Sequence, residues 1–381
     1  MHGHEILKFL TGEREAMLAR LEAYVDHESP SRDKAALDSL ARTVADLFEA
    51  IGGDVSVLGN PSGGDHVLAS FGSKGPESPA PGLVLGHFDT VWPIGTLQSQ
   101  PFRIDGNWAF GPGTYDMKAS LVLVEWALKA IARVGASLPR PVEVLFTSDE
   151  EIGSPTSRAL IEATAAPSAY ALVLEAPLAD GSLKTARKGV GAYTVEVEGK
   201  AAHAGVEPEK GISAINELAH QILRINELAD PSRGTTINVG LIQGGTTPNV
   251  VPAHAQARVD VRVTSTDEAK RIDEGIRQLR PVHPGAALVV SGGMNRPPME
   301  RTEAIASLFA SAKEIGRRLG LELGEGSTGG GSDGNFTAAA GIPTLDGLGV
   351  KGAGAHAIHE HILIDTLPER AALLACLLLE L

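Results

Sequence analysis

Leu83-Val84-Leu85-Gly86-His87-Phe88-Asp89-Thr90 is the stretch on which the reading of this chain turns. Its first residues are apolar without polar alternation, as in a strand of a parallel sheet covered on both faces. A glycine follows, and then His-x-Asp. Ligands in open α/β sheets gather beyond the carboxyl ends of the strands, which is where His87 and Asp89 fall. Asp89, two residues on, is placed to reach the ring nitrogen of His87 that a metal would leave over, fixing the tautomer and raising basicity. Taken alone, these residues fit a structural His–Asp pair at a strand end better than a ligand. Carboxylates further along change that reading.

Working outward, residues 3–27 have helical periodicity, a second helix covers 33–51, and Gly52-Gly53 is its stop. Strands are expected at 55–58 and 67–71, then a Pro- and Gly-rich surface loop over 72–82. A long connection leads from the His87 strand to Gly113, and 116–134 reads as a helix. The apolar strand 142–147 ends in Ser148-Asp149-Glu150-Glu151, and the strand 171–174 ends in Glu175. Strands alternating with helices predict an α/β domain, a mostly parallel sheet flanked by helices. From about Lys188 the order becomes strand 190–197, helix 211–228, strands 235–242 and 256–263, helix 267–279 and strand 287–290. That is the ferredoxin-like order of an α+β unit. The expected organisation is a catalytic domain in two parts, 1–187 and 298–381, with residues 188–297 inserted. The second part reads as a helix over 303–319, a glycine-rich loop over 324–334, a short strand at 343–345 and a last helix from Leu367.

The 381 residues, 43% hydrophobic and 21% charged, suffice for two domains with substantial cores. A net charge of −14 argues against general binding to nucleic acid or an anionic membrane. An anionic substrate would need local Arg or Lys. The single cysteine, Cys376, excludes an intrachain disulfide and a thiolate metal site, so a metal must use His and carboxylate. With no signal peptide or membrane span legible in the sequence, the expected location is cytoplasmic.

His87, Glu150, Glu151 and Glu175 each follow an apolar strand, Asp116 opens a helix, and His356 lies in a glycine-rich loop near the C-terminus. Imidazoles and carboxylates converging on one sheet edge suit a hydrolytic two-metal site. Each signal is weaker alone: Ser148-Asp149-Glu150-Glu151 also reads as a solvated acidic turn. Consecutive acids at a strand end point in different directions, so one can face a metal while the other faces the substrate.

The ordered set of motifs decides more. Gly86-His87-Phe88-Asp89-Thr90-Val91-Trp92, Gly111-Pro112-Gly113-Thr114-Tyr115-Asp116-Met117-Lys118, Thr147-Ser148-Asp149-Glu150-Glu151-Ile152-Gly153-Ser154 and Leu174-Glu175-Ala176 come first. Gly199-Lys200-Ala201-Ala202-His203-Ala204-Gly205, Pro248-Asn249-Val250-Val251-Pro252, Val259-Asp260-Val261-Arg262, Gly329-Gly330-Gly331-Ser332-Asp333 and Gly354-Ala355-His356 with Glu360 follow. In this order the chain resembles, over nearly its whole length, the two-zinc aminoacylase/carboxypeptidase metallopeptidase family, above all its glutamate carboxypeptidases of the carboxypeptidase G type. The resemblance implies a zinc-exopeptidase-like fold whose inserted domain serves as lid and homodimer interface. It implies two Zn2+ ions, with Co2+ or Mn2+ as partial stand-ins. Asp116 would bridge them, with His87 and Glu175 on one ion and Glu151 and His356 on the other. Asp89 would orient His87, and Glu150 would be the general base. The family often has a cis peptide after the bridging aspartate, here Asp116-Met117.

By the same resemblance His203 would stabilise the oxyanion across a dimer. Its residues alone also suit a buried structural His. Arg296 would grip a substrate α-carboxylate, with Asn249 and the backbone of Gly330 and Gly331 as neutral donors. A hinge-region surface arginine is the other reading of Arg296. Ser332-Asp333 after the glycines suggests a helix N-terminus. Arg187-Lys188-Gly189 is more basic than in the folate-hydrolysing enzymes, and Ser182 stands where they use a lysine for the glutamate side chain. The expected function is hydrolysis of an amide in a small peptide or N-acyl amino acid, releasing an amino acid next to a free carboxylate. Deacylation of the acetylornithine or succinyl-diaminopimelate type is the alternative, and a non-catalytic binding protein on the same scaffold is another. A non-catalytic relative would be expected to have lost the base or a ligand, and all six positions are filled. His2, His4, His27, His66, His220, His254 and His283 read as surface or structural, and His359 and His361 as neighbours of the true ligand, His356.

Overall fold

The computed structural model describes residues 2–73, 75 and 77–381. The chain divides into two compact units: residues 1–186, 301–328 and 332–381 form the larger, residues 187–300 and 329–331 the smaller.

The larger unit is built on a sheet that has, among the described residues, six strands. Asp54–Leu58 pairs antiparallel with His66–Phe71, which pairs antiparallel with Val142–Thr147. Gly82–His87 then runs parallel to both Val142–Thr147 and Tyr170–Val173, and Thr344–Leu345 lies parallel beyond. The sheet is parallel where the expected site residues lie. Gly82–His87 is buried along its whole length. Val84 faces the main core, while Leu83 and Leu85 face a second cluster with Ile161, Ala165 and Phe336. Burial on both faces explains why the stretch lacks polar alternation. A Cβ on Gly86 would come within 2.8 Å of Met117 Cε and Phe146 Cε1, so the residue behind His87 has to be small.

Capping and periodicity account for the helices that cover this sheet. Asp33 accepts from Ala36 N at 3.1 Å and starts Lys34–Ala50, whose Leu37, Leu40, Ala41, Val44 and Phe48 form the buried face. Ala119–Arg133 is buried nearly all round and packs on the C-terminal helix Thr366–Glu380. Its buried Glu125 is answered by Arg20 at 3.2 Å and Lys129 at 2.6 Å. The single helix expected over residues 3–27 is in fact two, Gly3–Gly12 and Arg14–Asp26. Gly12 weakens the run, and the Thr11 hydroxyl bonds back to the Leu7 carbonyl at 2.7 Å, a contact that bends helices.

The long connection before Gly113 is not bare loop. It contains Arg103–Asp105 and Trp108–Phe110, which join His361–Leu363 and Gly352–Ala353 in a small antiparallel sheet. Strands of two or three residues are too short to show a period.

The smaller unit is strand-helix-strand-strand-helix-strand, with the antiparallel order Thr236–Gly244, His254–Val263, Gly189–Glu198, Ala287–Arg296. This is the ferredoxin-like arrangement. Tyr193, Val195, Val197, Val259, Val261 and Val263 alternate inward against Leu218, Ile225, Ile272 and Ile276 of the two helices. The last strand runs past Val290, where the sequence suggests an end, because Gly292 (φ 88°) and a bulge between Met294 and Arg296 carry it through the glycine pair.

Candidate active site

Three parallel strands bring their carboxyl ends to one edge of the larger unit. His87 is register partner of Thr147, and Leu85 of Val173. Glu150 and Glu151 therefore emerge beside His87, and Glu175 follows on its other side. Asp116 enters from a distorted turn, Thr114–Lys118, that precedes the buried helix Ala119–Arg133. The Asp116-Met117 peptide is cis. His356 comes from the loop between Gly352–Ala353 and His361–Leu363, and its own φ is +62°.

The side chains fall into two groups of potential ligands, His87 with Glu150 and Glu175, and Asp116 with Glu151 and His356. Within each, ligand atoms lie within 4.8 Å of one another. Asp116 joins them: Oδ1 is 3.3 Å from His87 Nε2, and Oδ2 is 3.3 Å from His356 Nε2. Glu175 Oε1 is 3.6 Å from His87 Nε2, and Glu151 Oε2 is 3.0 Å from His356 Nε2. All six residues singled out in the sequence meet here. Glu150, expected as a base only, also stands among the potential ligands.

The His87 distances fit a metal better than direct bonds, whereas His356 Nε2 is within hydrogen-bond reach of Glu151 Oε1 at 3.1 Å. His87 Nε2 is buried and has no hydrogen-bond partner among the described residues, although two carboxylate oxygens face it. Charge-assisted bonds are shorter, about 2.7–2.9 Å. A tetrahedral zinc with bonds of about 2.0–2.1 Å would hold its ligands roughly 3.3–3.4 Å apart. The charges point the same way. Burial disfavours the His87 cation, yet Asp116, Asp89 and Glu175 lift its pKa well above the usual range. Asp116 and Glu151 push His356 up to about 10. Burial works against the Asp116 anion, but the neighbouring His356 and His87 rings hold its carboxyl well below the usual range. Burial, with Asp116 nearby, raises Glu151. Without cations, protons are drawn to the imidazoles where metals would otherwise neutralise the field.

Several buried polar groups hold the acidic turn. The Asp89 carboxylate accepts from Glu150 N at 3.1 Å and Glu151 N at 3.2 Å. His87 Nδ1 is 3.1 Å from the Asp89 carbonyl and 3.4 Å from its carboxylate, so Asp89 clamps the acidic turn as well as the ring. Asp149, buried, accepts from Thr156 N and Oγ1 and from Ser157 N and Oγ. His66 is a buried imidazole whose pKa burial lowers, and its Nδ1 accepts from Ser148 N at 3.2 Å. The Asp333 carboxylate takes the hydroxyls of Thr147 and Ser154 instead of capping the short helix Gly334–Ala339. Asp149 belongs to the turn itself, while His66 and Asp333 carry no motif spacing that ties them to it. Only the fold brings them to it.

A family model described as Peptidase family M20/M25/M40 matches residues 83–380. Carboxypeptidase G2 of Pseudomonas sp. (strain RS-16) is 30% identical over 384 residues, covering 97% of this chain and 90% of that protein. The chain belongs to the M20/M25/M40 peptidase family. It is a metal-dependent hydrolase of that family. Solved M20-type folds superpose along nearly its whole length. Aminopeptidase PepT from Bacillus cereus gives a TM-score of 0.78 at 22% identity, over 96% of this chain and 98% of that one. The metallo-carboxypeptidase Sso-CP2 from Sulfolobus solfataricus gives 0.72 at 16% identity, over 95% and 98%. No described helix is long and apolar enough to cross a membrane.

The remaining expected M20 site residues lie in the smaller unit. His203 is exposed, not buried; it bridges Val250, and its Nδ1 accepts from Gly205 N at 3.1 Å. Asn249 is beside it, its carbonyl accepting from Ala204 N at 3.0 Å. Arg296 is buried rather than a surface arginine, with Nη1 donating to Asn295 Oδ1 at 3.2 Å. Arg187, also buried, donates to the carbonyls of Gly330 and Gly331, both at 3.2 Å. In the larger unit, the Ser182 hydroxyl donates to Asp180 at 2.9 Å.

Proposed function

We propose that this M20 peptidase is a zinc-dependent exopeptidase of the glutamate carboxypeptidase kind, cleaving an amide beside a free carboxylate and releasing an amino acid. The observation that carries this is the pair of ligand groups joined through the two oxygens of Asp116. Similarity to carboxypeptidase G2 along 97% of the chain supports the substrate class. Bound zinc would supply Lewis acidity to the scissile carbonyl and lower the pKa of the attacking water. His87 and Glu175 would hold one ion, Glu151 and His356 the other, and Asp116 both. Glu150, on the turn fixed by Asp89, takes a proton from the water and delivers it to the departing amine. We assign His203 to the oxyanion. Arg296 is assigned to the substrate carboxylate, where a planar guanidinium binds bidentately. Asn249 and the amides of Gly330 and Gly331 supply neutral donors.

A homodimer through the smaller unit belongs to the same reading. Thr236–Gly244 lies at the end of its sheet, with Leu241 and Ile242 each 57% exposed and Leu223 of the adjacent helix 63% exposed. An unpaired strand edge beside apolar side chains favours association.

One observation favours the deacylase alternative: Ser182, where a lysine would select glutamate, is tied to Asp180. A panel of C-terminal glutamyl amides against N-acetylornithine and N-succinyl-diaminopimelate separates the two. Preferred cleavage of the glutamyl amides is expected. Activity confined to the acyl amino acids would replace this reading with the alternative.

A further inference from the structure

Outside the two ligand groups, Glu360 is a buried carboxylate of the larger unit whose side chain accepts as many hydrogen bonds as that of Asp149. Glu360 is 3% exposed. Its Oε1 accepts from Tyr115 N at 2.9 Å and Asp116 N at 3.0 Å. Its Oε2 accepts from Gly113 N and Trp92 Nε1, both at 2.9 Å. Four donors fill the acceptor sites of an ionised carboxylate. Its main chain adds a fifth tie, the carbonyl taking Gly111 N at 3.3 Å. Glu360 follows His356 by four residues, and a Cβ on Gly354 would lie 3.0 Å from its Cα. One side chain thus fastens the backbone of Asp116 to the loop that carries His356.

The amides of Gly113, Tyr115 and Asp116 point together because their segment bends sharply, with Gly113 at φ 72° and Asp116 at φ −121°, ψ 92°. Three converging N–H groups in a buried turn form an anion-binding hollow, and each is destabilising if left unmet. A neutral acceptor cannot satisfy them all. Glutamine at this position would offer one oxygen and turn an NH2 group toward the other pair of donors.

We propose that Glu360 is a positioning residue for the metal centre: by holding the Gly113–Asp116 backbone against the His356 loop, it sets the distance between Asp116 and His356 and so the affinity of the ion they share. This rests on the two-zinc reading given above. It concerns no proton transfer and no direct contact with substrate.

The test uses the full chain stripped of metal with a chelator and titrated with Zn2+ in competition with a chromophoric chelator. Wild type is expected to take two ions. Glu360→Gln should weaken one ion about 10–100-fold, the same ion that His356→Ala weakens, which is the usual effect of removing a partner that orients a ligand. Glu360→Asp keeps the charge on a shorter stem and should restore part of that loss. Trp92→Phe removes one of the four donors and should weaken the same ion about 2–10-fold. If wild type takes fewer than two ions, the two-zinc reading fails and this inference falls with it. If wild type takes two and Glu360→Gln binds them as tightly, only the role of Glu360 is overturned. The same holds if Glu360→Gln lowers the metal-free melting temperature while affinity is unchanged. Should Glu360→Gln fail to fold, wild-type affinity in Trp92→Phe overturns the proposal.

Discussion

His87 and His356 offer the same atom, Nε2, to the same aspartate at the same 3.3 Å, yet they are held in opposite ways. The His87 side chain is 1% exposed at the end of a strand packed on both faces. That of His356 is 51% exposed on a loop in left-handed backbone. Sheet register fixes the first. Short strands, glycine geometry and the Glu360 carboxylate fix the second. A site assembled from one rigid wall and one fastened loop should respond differently when each side is disturbed.

The sharpest break in that comparison lies between neighbours, since Glu150 stands with His87 and Glu151 with His356. Glu150→Gln should lower kcat about 10²–10⁴-fold, the span for loss of a general base, while both metals remain. Glu151→Gln should lose activity together with the ion shared with His356. Metal analysis beside steady-state kinetics separates them, and full activity in Glu150→Gln would remove it from the role of base. Next in size is Asp89→Asn. The side chain clamps two amides of the acidic turn and lies beside His87 Nδ1, so an amide there should cost about 10–100-fold in kcat or metal affinity. A change under twofold would show that the His87 wall does not need it.

Protonation bears on the exposed side as it does on His87, whose pKa is raised as well. In the metal-free protein Asp116 and Glu151 raise His356 from 6.5 to about 10. A raised folded-state pKa stabilises fully below the unfolded value and fades as pH climbs, so this contribution is complete below 6.5 and lost through about 10. The same proton must leave before Nε2 can ligate. Zinc affinity should therefore rise about tenfold per pH unit from about 7 to about 10. Competition titrations at several pH values test this, and a flat profile would mean that His356 is not a ligand.

The asymmetry also explains what the sequence discloses. The wall is legible because apolar strands end directly in His87, in the acids after Thr147 and in Glu175, so period and position coincide. The helix positions and the ferredoxin-like order are legible for the same reason. The fastened side is not. Arg103–Asp105, Trp108–Phe110, Gly352–Ala353 and His361–Leu363 are too short to carry a pattern, and the pairing of Trp108–Phe110 with His361–Leu363 joins residues about 250 positions apart. Glu360 stands in a family motif, but nothing in its spacing says that it reaches three amides near Asp116. Asp333 looks like a helix cap and instead holds Thr147 and Ser154.

The smallest expected effect is the most discriminating, because one substitution can be made on both sides. Gly86→Ala places a methyl 2.8 Å from Met117 Cε and Phe146 Cε1 in the packed wall. Overpacking there should cost about 1–3 kcal/mol of stability. The strand cannot shift without breaking register on both sides, so the metal sites should keep their affinity in the fraction that folds. Gly354→Ala meets Glu360 at 3.0 Å and requires φ near +83°. Left-handed backbone costs a non-glycine residue about 1–2 kcal/mol, and the loop can escape that cost by moving. Its movement carries His356 away from Asp116. Melting curves of the metal-free proteins should thus rank Gly86→Ala as the more damaged, while zinc titration should rank Gly354→Ala as the more damaged. If both measurements rank them alike, wall and loop are a single rigid body, and the distinction between register and fastening has no energetic content.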